Sequence, residues 1–278
     1  MDKIKLEKIA LEVRKSVLTE VYSAASGHPG GSLGIADVLT YLYFEEMNVD
    51  PKNPTDPDRD RFVLSKGHTS PALYAVLAEK GFFPKSDLTT FRHKDSYLQG
   101  HPVVNKVPGV DMTTGSLGQG ISTACGMALS AKISEKKYRV WTVLGDGECQ
   151  EGQVWEAAMF ASHYGLNNLC AFVDFNGLQI DGAVTEVMNP TPIDEKFKAF
   201  GWNVVVIDGH NFEQIANAVN TAKTSSKPTA VICKTIKGKG VSFMENQCKW
   251  HGSAPNKEQY EQGMKELEEA AKAIEARV

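Results

Sequence analysis

Five short apolar runs alternate with stretches of helical periodicity, and together they predict a doubly wound α/β fold. The expected core is a mainly parallel, five-stranded sheet with helices on both faces. Two observations carry this. The runs, at 61–65, 140–144, 169–173, 202–207 and 230–234, are rich in Val, Ile, Leu and Phe, and a helix candidate separates most of them from the next. Four of them stop at segments built from Gly, Asp, Asn or His: Lys66-Gly67-His68, Gly145-Asp146-Gly147, Asp174-Phe175-Asn176-Gly177 and Asp208-Gly209-His210-Asn211. Such residues end strands and turn the chain into the next element.

Residues 4–23 open the chain with a helical stripe of Ile4, Ile9, Val13, Val17, Leu18 and Val21. The segment 26–34, SGHPGGSLG, is expected to interrupt it as a loop whose glycines let backbone lie close to another surface. A second helix follows Ile35 and carries Tyr41, Tyr43 and Phe44, rings assigned to core packing. Residues 51–60 are polar, with three prolines, and form a surface loop. After the strand at 61–65, a helix starts at Thr69 or Ser70 as N-cap, places Pro71 in its first turn and ends at Gly81. A short helix is expected at 86–92, and a small-residue helix at 124–133 follows Thr113–Gly120. The stretch 140–182 reads strand, turn, helix, strand. Beyond it come a helix ending at Phe200, a helix at 212–222, an irregular segment at 238–252 and a charged helix at about 256–277. That last helix gathers Leu267, Ala270, Ala271 and Ile274 on one face. With no repeat, linker or low-complexity tract, residues 1–278 are expected to form a single domain.

Composition narrows the function. The chain has 278 residues, of which 42% are hydrophobic and 23% charged, as is ordinary for a globular protein. A formal net charge of −4 gives no electrostatic reason to expect nucleic acid or an anionic membrane as partner. No run approaches the length of a membrane span. Five cysteines without CxxC spacing fit buried free thiols and a reduced, cytoplasmic compartment.

The chemistry concentrates between Val140 and Gly182. Asp146 and Asn176 fall just beyond the carboxyl ends of two strands separated by one helix, where open parallel sheets bind ligands. A carboxylate, an amide oxygen and nearby carbonyls form a hard oxygen set that suits Mg²⁺ or Ca²⁺. Gly145 and Gly147 leave room for a diphosphate near the backbone, with the following helix directing free N–H groups at it. A lone Gly-Asp-Gly is also common turn chemistry; the Asn-Gly at the next strand end is what points to a ligand. Five of the seven histidines (His28, His68, His101, His210, His251) have a glycine neighbour in a loop. Imidazoles placed near strand ends can hold or pass a proton near neutrality. His210 lies in an Asp-Gly-His-Asn turn and takes a structural role there; His93 and His163 carry no functional signal.

The segment from Val140 to Gly182, together with SGHPG, GSLGQG and WHG, resembles the thiamine-diphosphate signature and the amino-terminal half of transketolases. The resemblance implies the thiamine-diphosphate-binding fold, with Asp146, Asn176 and the Leu178 carbonyl holding the metal. Phe175-Asn176 stands where many thiamine enzymes have two Asn, and the second is the usual ligand. His68 and His251 would serve the diphosphate and the reactive centre. His28 and His101 would serve substrate hydroxyls and proton handling. Gly115, Ser116 and Leu117 would line the aminopyrimidine, with Gly145, Gly147, Glu151 and Ile180 also against the cofactor. Glu151 and Glu156 would meet across a subunit interface, although an acid opening a helix also complements its dipole.

Transketolases are usually more than twice this length. Their second domain supplies a Glu that protonates the aminopyrimidine ring nitrogen, and no candidate for it is recognisable here. The resemblance therefore implies the diphosphate-binding subunit of a split transketolase. A homodimer of this chain would be flanked by two separately encoded carboxy-terminal subunits, transferring a two-carbon ketol unit from a ketose phosphate to an aldose. Two alternatives remain open at this point. One is another split thiamine enzyme, such as a ketolase for an unusual sugar phosphate or a relative of deoxyxylulose-phosphate synthase. The other is a cofactor-binding remnant without chemistry.

Overall fold

The computed structural model describes residues 1–277. Its strands are β1 (Arg61–Leu64), β2 (Val140–Gly145), β3 (Leu169–Phe175), β4 (Leu178–Gln179), β5 (Gly182–Ala183), β6 (Asn203–Asp208) and β7 (Thr229–Lys234). Five of them form one sheet in the order β1-β2-β3-β7-β6, and every pairing in it is parallel. The expected fold class and all five expected strands are present. The two-residue strands β4 and β5 pair antiparallel as a separate hairpin that the sequence pattern does not reveal.

The helices are α1 (Lys3–Ser23), α2 (Pro29–Gly34), α3 (Ala36–Tyr41), α4 (Ser70–Lys80), α5 (Gln119–Ile133), α6 (Gly152–His163), α7 (Val184–Val187), α8 (Ile193–Ala199), α9 (Phe212–Thr224) and α10 (Lys257–Glu275). Their packing explains why the central strands read as unbroken apolar runs. Side chains alternate across a strand, so Trp141, Val143, Cys170 and Phe172 enter one core, with residues of α1, α3, α4, α9 and α10. Val140, Leu144, Leu169, Ala171 and Val173 enter a second core, on the opposite face, with α5, α6 and α8. Both faces being covered, a polar side chain there needs a partner within the fold, as Thr142 finds in the Val63 carbonyl at 2.8 Å. Tyr41 and Tyr43 are buried, as their core assignment requires, and Phe44 packs against the same core.

Several boundaries follow local chemistry. Gly81 ends α4 at φ +97, and its N–H caps the carbonyls of Leu77 and Ala78. Asn256 and Gln259 form a reciprocal capping box that starts α10. The short helix expected at 86–92 is a 3-10 turn, Lys85–Thr90.

Two expectations need correction. The segment 26–34 is not all loop: Pro29 starts α2 at the first helical position. Its glycines serve close packing within the helix. A Cβ on Gly30 would lie 2.8 Å from the Trp250 carbonyl oxygen, and one on Gly34 would lie 3.0 Å from that of Ile236. The helix expected at 124–133 starts earlier, at Gln119, inside the glycine-rich segment before it. Among the described residues, no helix is long and apolar enough to cross a membrane. The five cysteines are free thiols, four buried and Cys248 half-buried.

Candidate active site

β2 and β3 are neighbours, with Gly145 opposite Asp174, so the tips carrying Asp146 and Asn176 lie side by side. Asp146 is 3% exposed and accepts from two backbone amides, Gly147 N–H at 2.7 Å and Gly177 N–H at 2.6 Å. Burial, with the charge of Asp174 beside it, pushes its carboxyl up to about 6. Asn176 donates its Nδ2 to Asp174 Oδ2 at 3.0 Å, while its Oδ1 accepts from Leu178 N–H at 3.0 Å. An ionised carboxylate only accepts, so this bond settles the orientation of the amide and leaves its oxygen as the available ligand.

Asp174 is the hub beneath these tips. It is 1% exposed and binds the Lys66 ammonium, the Thr235 hydroxyl and the Asn176 amide. Burial alone would raise its pKa, but the charge and hydrogen bond of Lys66, with Thr235, outweigh burial and hold it below the ordinary carboxylate value. Glu148 is equally hidden and ties two strand ends to the start of α5. It accepts from Ser65 Oγ at 2.5 Å, Gly118 N–H at 2.9 Å and Gly145 N–H at 3.0 Å. The Gly-Ser-Leu-Gly loop and the Gly-Asp-Gly turn are thus anchored to one carboxylate.

Lys237 brings the free charge. It is 2% exposed and reaches the Leu178 carbonyl at 3.3 Å and His251 Nδ1 at 3.1 Å. Among the described residues it pairs with no carboxylate within 4.0 Å. Burial, then repulsion from Lys66, brings its pKa down to about 8, so near neutrality it is still mainly an ammonium.

Three histidines gather above these groups. The ring centroids of His28, His68 and His251 lie 5.1–5.5 Å apart. Burial, followed by Arg92, lowers His28 to about 4; burial, followed by Lys237, lowers His251 to about 3. Burial and Lys66 hold His68 well below its ordinary value. All three are therefore neutral imidazoles at pH 7. Their proton positions follow from partners that can only donate: Arg92 on His28 Nδ1 at 3.4 Å, and the Lys237 ammonium on His251 Nδ1. Both rings consequently carry their proton on Nε2. His101 stands outside the trio, exposed, with Gly115 packed against its ring.

A cavity of about 160 Å³ opens over the strand tips. His68, Leu117, Gly145, Asp146 and Gly147 line it, as do Glu151, Asn176, Leu178, Ile180 and His251. Gly115 and Ser116 line a neighbouring cleft instead. His28 reaches the site through the trio, while Glu156 lies exposed on α6, away from the cavity. Glu148 and Lys237 escape sequence reasoning, since nothing sets them apart from other charged residues. Lys66 and Asp174 left a trace only as charged residues closing apolar runs.

Residues 6–272 match the family described as transketolase, thiamine diphosphate binding domain. The chain belongs to the transketolase family. It is 47% identical, over 95% of its own length and 97% of the other's, to the 6-deoxy-6-sulfo-D-fructose transketolase subunit SqwG of Clostridium sp. (strain MSTE9). It is 43% identical to an apulose-4-phosphate transketolase subunit of Phocaeicola vulgatus, covering 93% of that chain. Among solved structures, Campylobacter jejuni transketolase superposes with a TM-score of 0.92 at 33% identity. The chain covers 46% of that transketolase, so it spans less than half of the solved structure while matching the two subunits almost end to end.

Proposed function

We propose that this chain is the diphosphate- and metal-gripping subunit of a split transketolase. With a separately encoded carboxy-terminal subunit it transfers a two-carbon ketol unit from a ketose phosphate to an aldose, using thiamine diphosphate with Mg²⁺ or Ca²⁺. The observation that carries this is the placement of Asp146, Asn176, the Leu178 carbonyl and Lys237 around one cavity at neighbouring strand ends. The near full-length match to two transketolase subunits supports the split arrangement.

The residues fit the cofactor on their own chemistry. Asp146, the Asn176 amide oxygen and the Leu178 carbonyl are hard oxygen donors. Lys237 is a buried cation that, among the described residues, has no carboxylate within 4.0 Å, which suits it to an anionic diphosphate. Gly145 has nothing within 3.8 Å of where a Cβ would sit, which leaves the turn open to a ligand. When bound, thiamine diphosphate supplies the nucleophilic carbon that attacks the ketose carbonyl.

The chain's own part is to bind, orient and move protons. Asp146, Asn176 and Leu178 hold the metal, and Lys237 offsets diphosphate charge. Neutral His28 and His251 present Nε2–H groups that donate to sugar oxygens. Their low pKa values keep them from standing as cations beside Lys237 and Lys66. Each such general acid–base contact is worth ~10²–10⁴ in rate. His101, at the rim, meets the sugar hydroxyls. Glu151 and Glu156, both exposed in the single chain, face a second copy across the interface. Exposed Met159 and Phe160 of α6, with Tyr164 just past its end, give that contact its apolar area.

Thiamine diphosphate uptake with Mg²⁺ should tighten on adding the carboxy-terminal subunit, and turnover of ketose phosphates should appear only then. Turnover by rigorously partner-free chain, or an Asp146→Ala variant that takes up cofactor as before in the assembled complex, would overturn the proposal.

A further inference from the structure

We propose that His210 is a positioning residue for Lys237, acting through the backbone amide of Ile236. This rests on the function proposed above only for what Lys237 grips. His210 follows β6, far from the cavity in sequence and absent from its lining. Its Nδ1 lies 2.7 Å from Asp37 Oδ2, and its Nε2 accepts the Ile236 N–H at 2.9 Å. A backbone N–H can only donate, so Nε2 must carry the lone pair. An ionised carboxylate can only accept, so Nδ1 must carry the proton. Both ring nitrogens are committed and the tautomer has no freedom.

The far end of this relay is rigid. Asp37 is 6% exposed and is clamped by Arg14, whose two terminal nitrogens reach its oxygens at 3.1 and 2.6 Å. Four elements therefore meet at His210: α1 through Arg14, α3 through Asp37, the turn after β6, and the turn after β7 through Ile236. That last turn delivers Lys237. Its other restraints are the Thr235 hydroxyl on Asp174, the Thr235 N–H on the Phe175 carbonyl at 3.2 Å, the Gly238 N–H on the Gly30 carbonyl at 2.8 Å, the Asn246 N–H on the Lys237 carbonyl at 2.9 Å, and the Lys239 N–H on the Ile236 carbonyl at 3.2 Å. The last of these closes the turn on itself, holding the peptide that leads into Lys237 only relative to Lys239. The His210 bond ties Ile236 to a separate part of the fold, and a buried charge displaced by even an ångström loses much of its effect.

Two variants separate the halves of the relay. His210→Asn places an amide near Nδ1, so it still donates to Asp37 but no longer reaches Ile236. His210→Gln places a carbonyl oxygen near Nε2, so it still accepts from Ile236 but gives up the donation to Asp37. The first readout needs no cofactor: the rate at which an amine-reactive reagent modifies Lys237 in the full chain, followed by mass spectrometry, with thermal melts confirming that both variants fold. Loss of one buried hydrogen bond predicts a roughly tenfold faster modification in His210→Asn and a change under about threefold in His210→Gln.

The second readout is the affinity for thiamine diphosphate with Mg²⁺ in the assembled complex. It should fall about tenfold for His210→Asn, and that loss should vanish in a Lys237→Met background, where the residue being positioned is gone. Equal modification rates in the two variants, or a His210→Asn penalty that persists beside Lys237→Met, would show a general structural role and overturn the inference. Failure of the wild-type complex to take up cofactor would count against the proposed function, while the labelling result still decides the relay.

Discussion

Replacing Asp37 with Asn removes the charge on which the Arg14–Asp37–His210 cluster is built, and its cost follows from the structure. Burial raises the Asp37 carboxyl, but Arg14 and His210 outweigh it and bring it from 3.8 to about 2. At ~1.36 kcal/mol per pH unit, that difference is worth on the order of 2 kcal/mol. The Arg14 guanidinium, only 5% exposed, is then stranded without a counter-charge, which takes the expected loss towards ~3–5 kcal/mol. In a domain of this size each kcal/mol lowers Tm by ~2–4 °C. Calorimetry at pH 7 should therefore place Asp37→Asn roughly 6–20 °C below wild type. The sign with pH is fixed by the depressed pKa. The contribution is complete above the unfolded value of 3.8 and is lost as pH falls through about 2. The gap between the two proteins should hold steady from pH 8 to 5 and narrow below 4. A Tm within 1–2 °C of wild type at pH 7, or a gap that widens on acidification, would refute the reasoning.

Three further outcomes are expected. Glu20 is fully buried with both oxygens unpartnered, and burial holds its pKa well above 4.5. It is protonated in the fold but ionised in the unfolded chain, so Glu20→Gln should gain stability over wild type as pH rises above 4.5, by up to ~1.4 kcal/mol per pH unit. Equal melting differences at pH 5 and pH 8 would exclude this. Gly120→Ala would put a Cβ 2.5 Å from the Ser65 Cα and push β1 from α5, costing ~1–3 kcal/mol in urea melts. Gly126→Ala, in the same helix but exposed with nothing within 4 Å, should stabilise the isolated chain by ~0.5–1 kcal/mol, and a loss there would contradict the open space found.

The contrast between those two glycines shows what a sequence can and cannot express. The sheet was legible because residues 140–144 and 169–173 are apolar at nearly every position, and only a strand covered on both faces asks for that. Asp146 and Asn176 were legible because strand tips in such a sheet bind ligands, and few tips carry a carboxylate and an amide one helix apart. The helix α2 was not legible. Three glycines in six residues weaken a helix by about 1 kcal/mol each, and the propensity argument therefore pointed to a loop. Contacts from residues more than 200 positions away, Ile236 and Trp250, override it, because they leave no space for a Cβ.

The same distance explains the missed cations. Lys237 sits in the run Lys234-Thr235-Ile236-Lys237-Gly238-Lys239, where three lysines look alike. Lys234 is exposed and Lys239 half-exposed, while Lys237 is buried against the Leu178 carbonyl and His251. What separates them is the course of the turn after β7, and among the groups that hold it are an imidazole, a carboxylate and a guanidinium from three other parts of the chain. A charge acquires its role here from long-range hydrogen bonds rather than from its neighbours in sequence. The relay through His210 is consequently where loss of a single bond should be felt at the cavity without touching any residue that lines it.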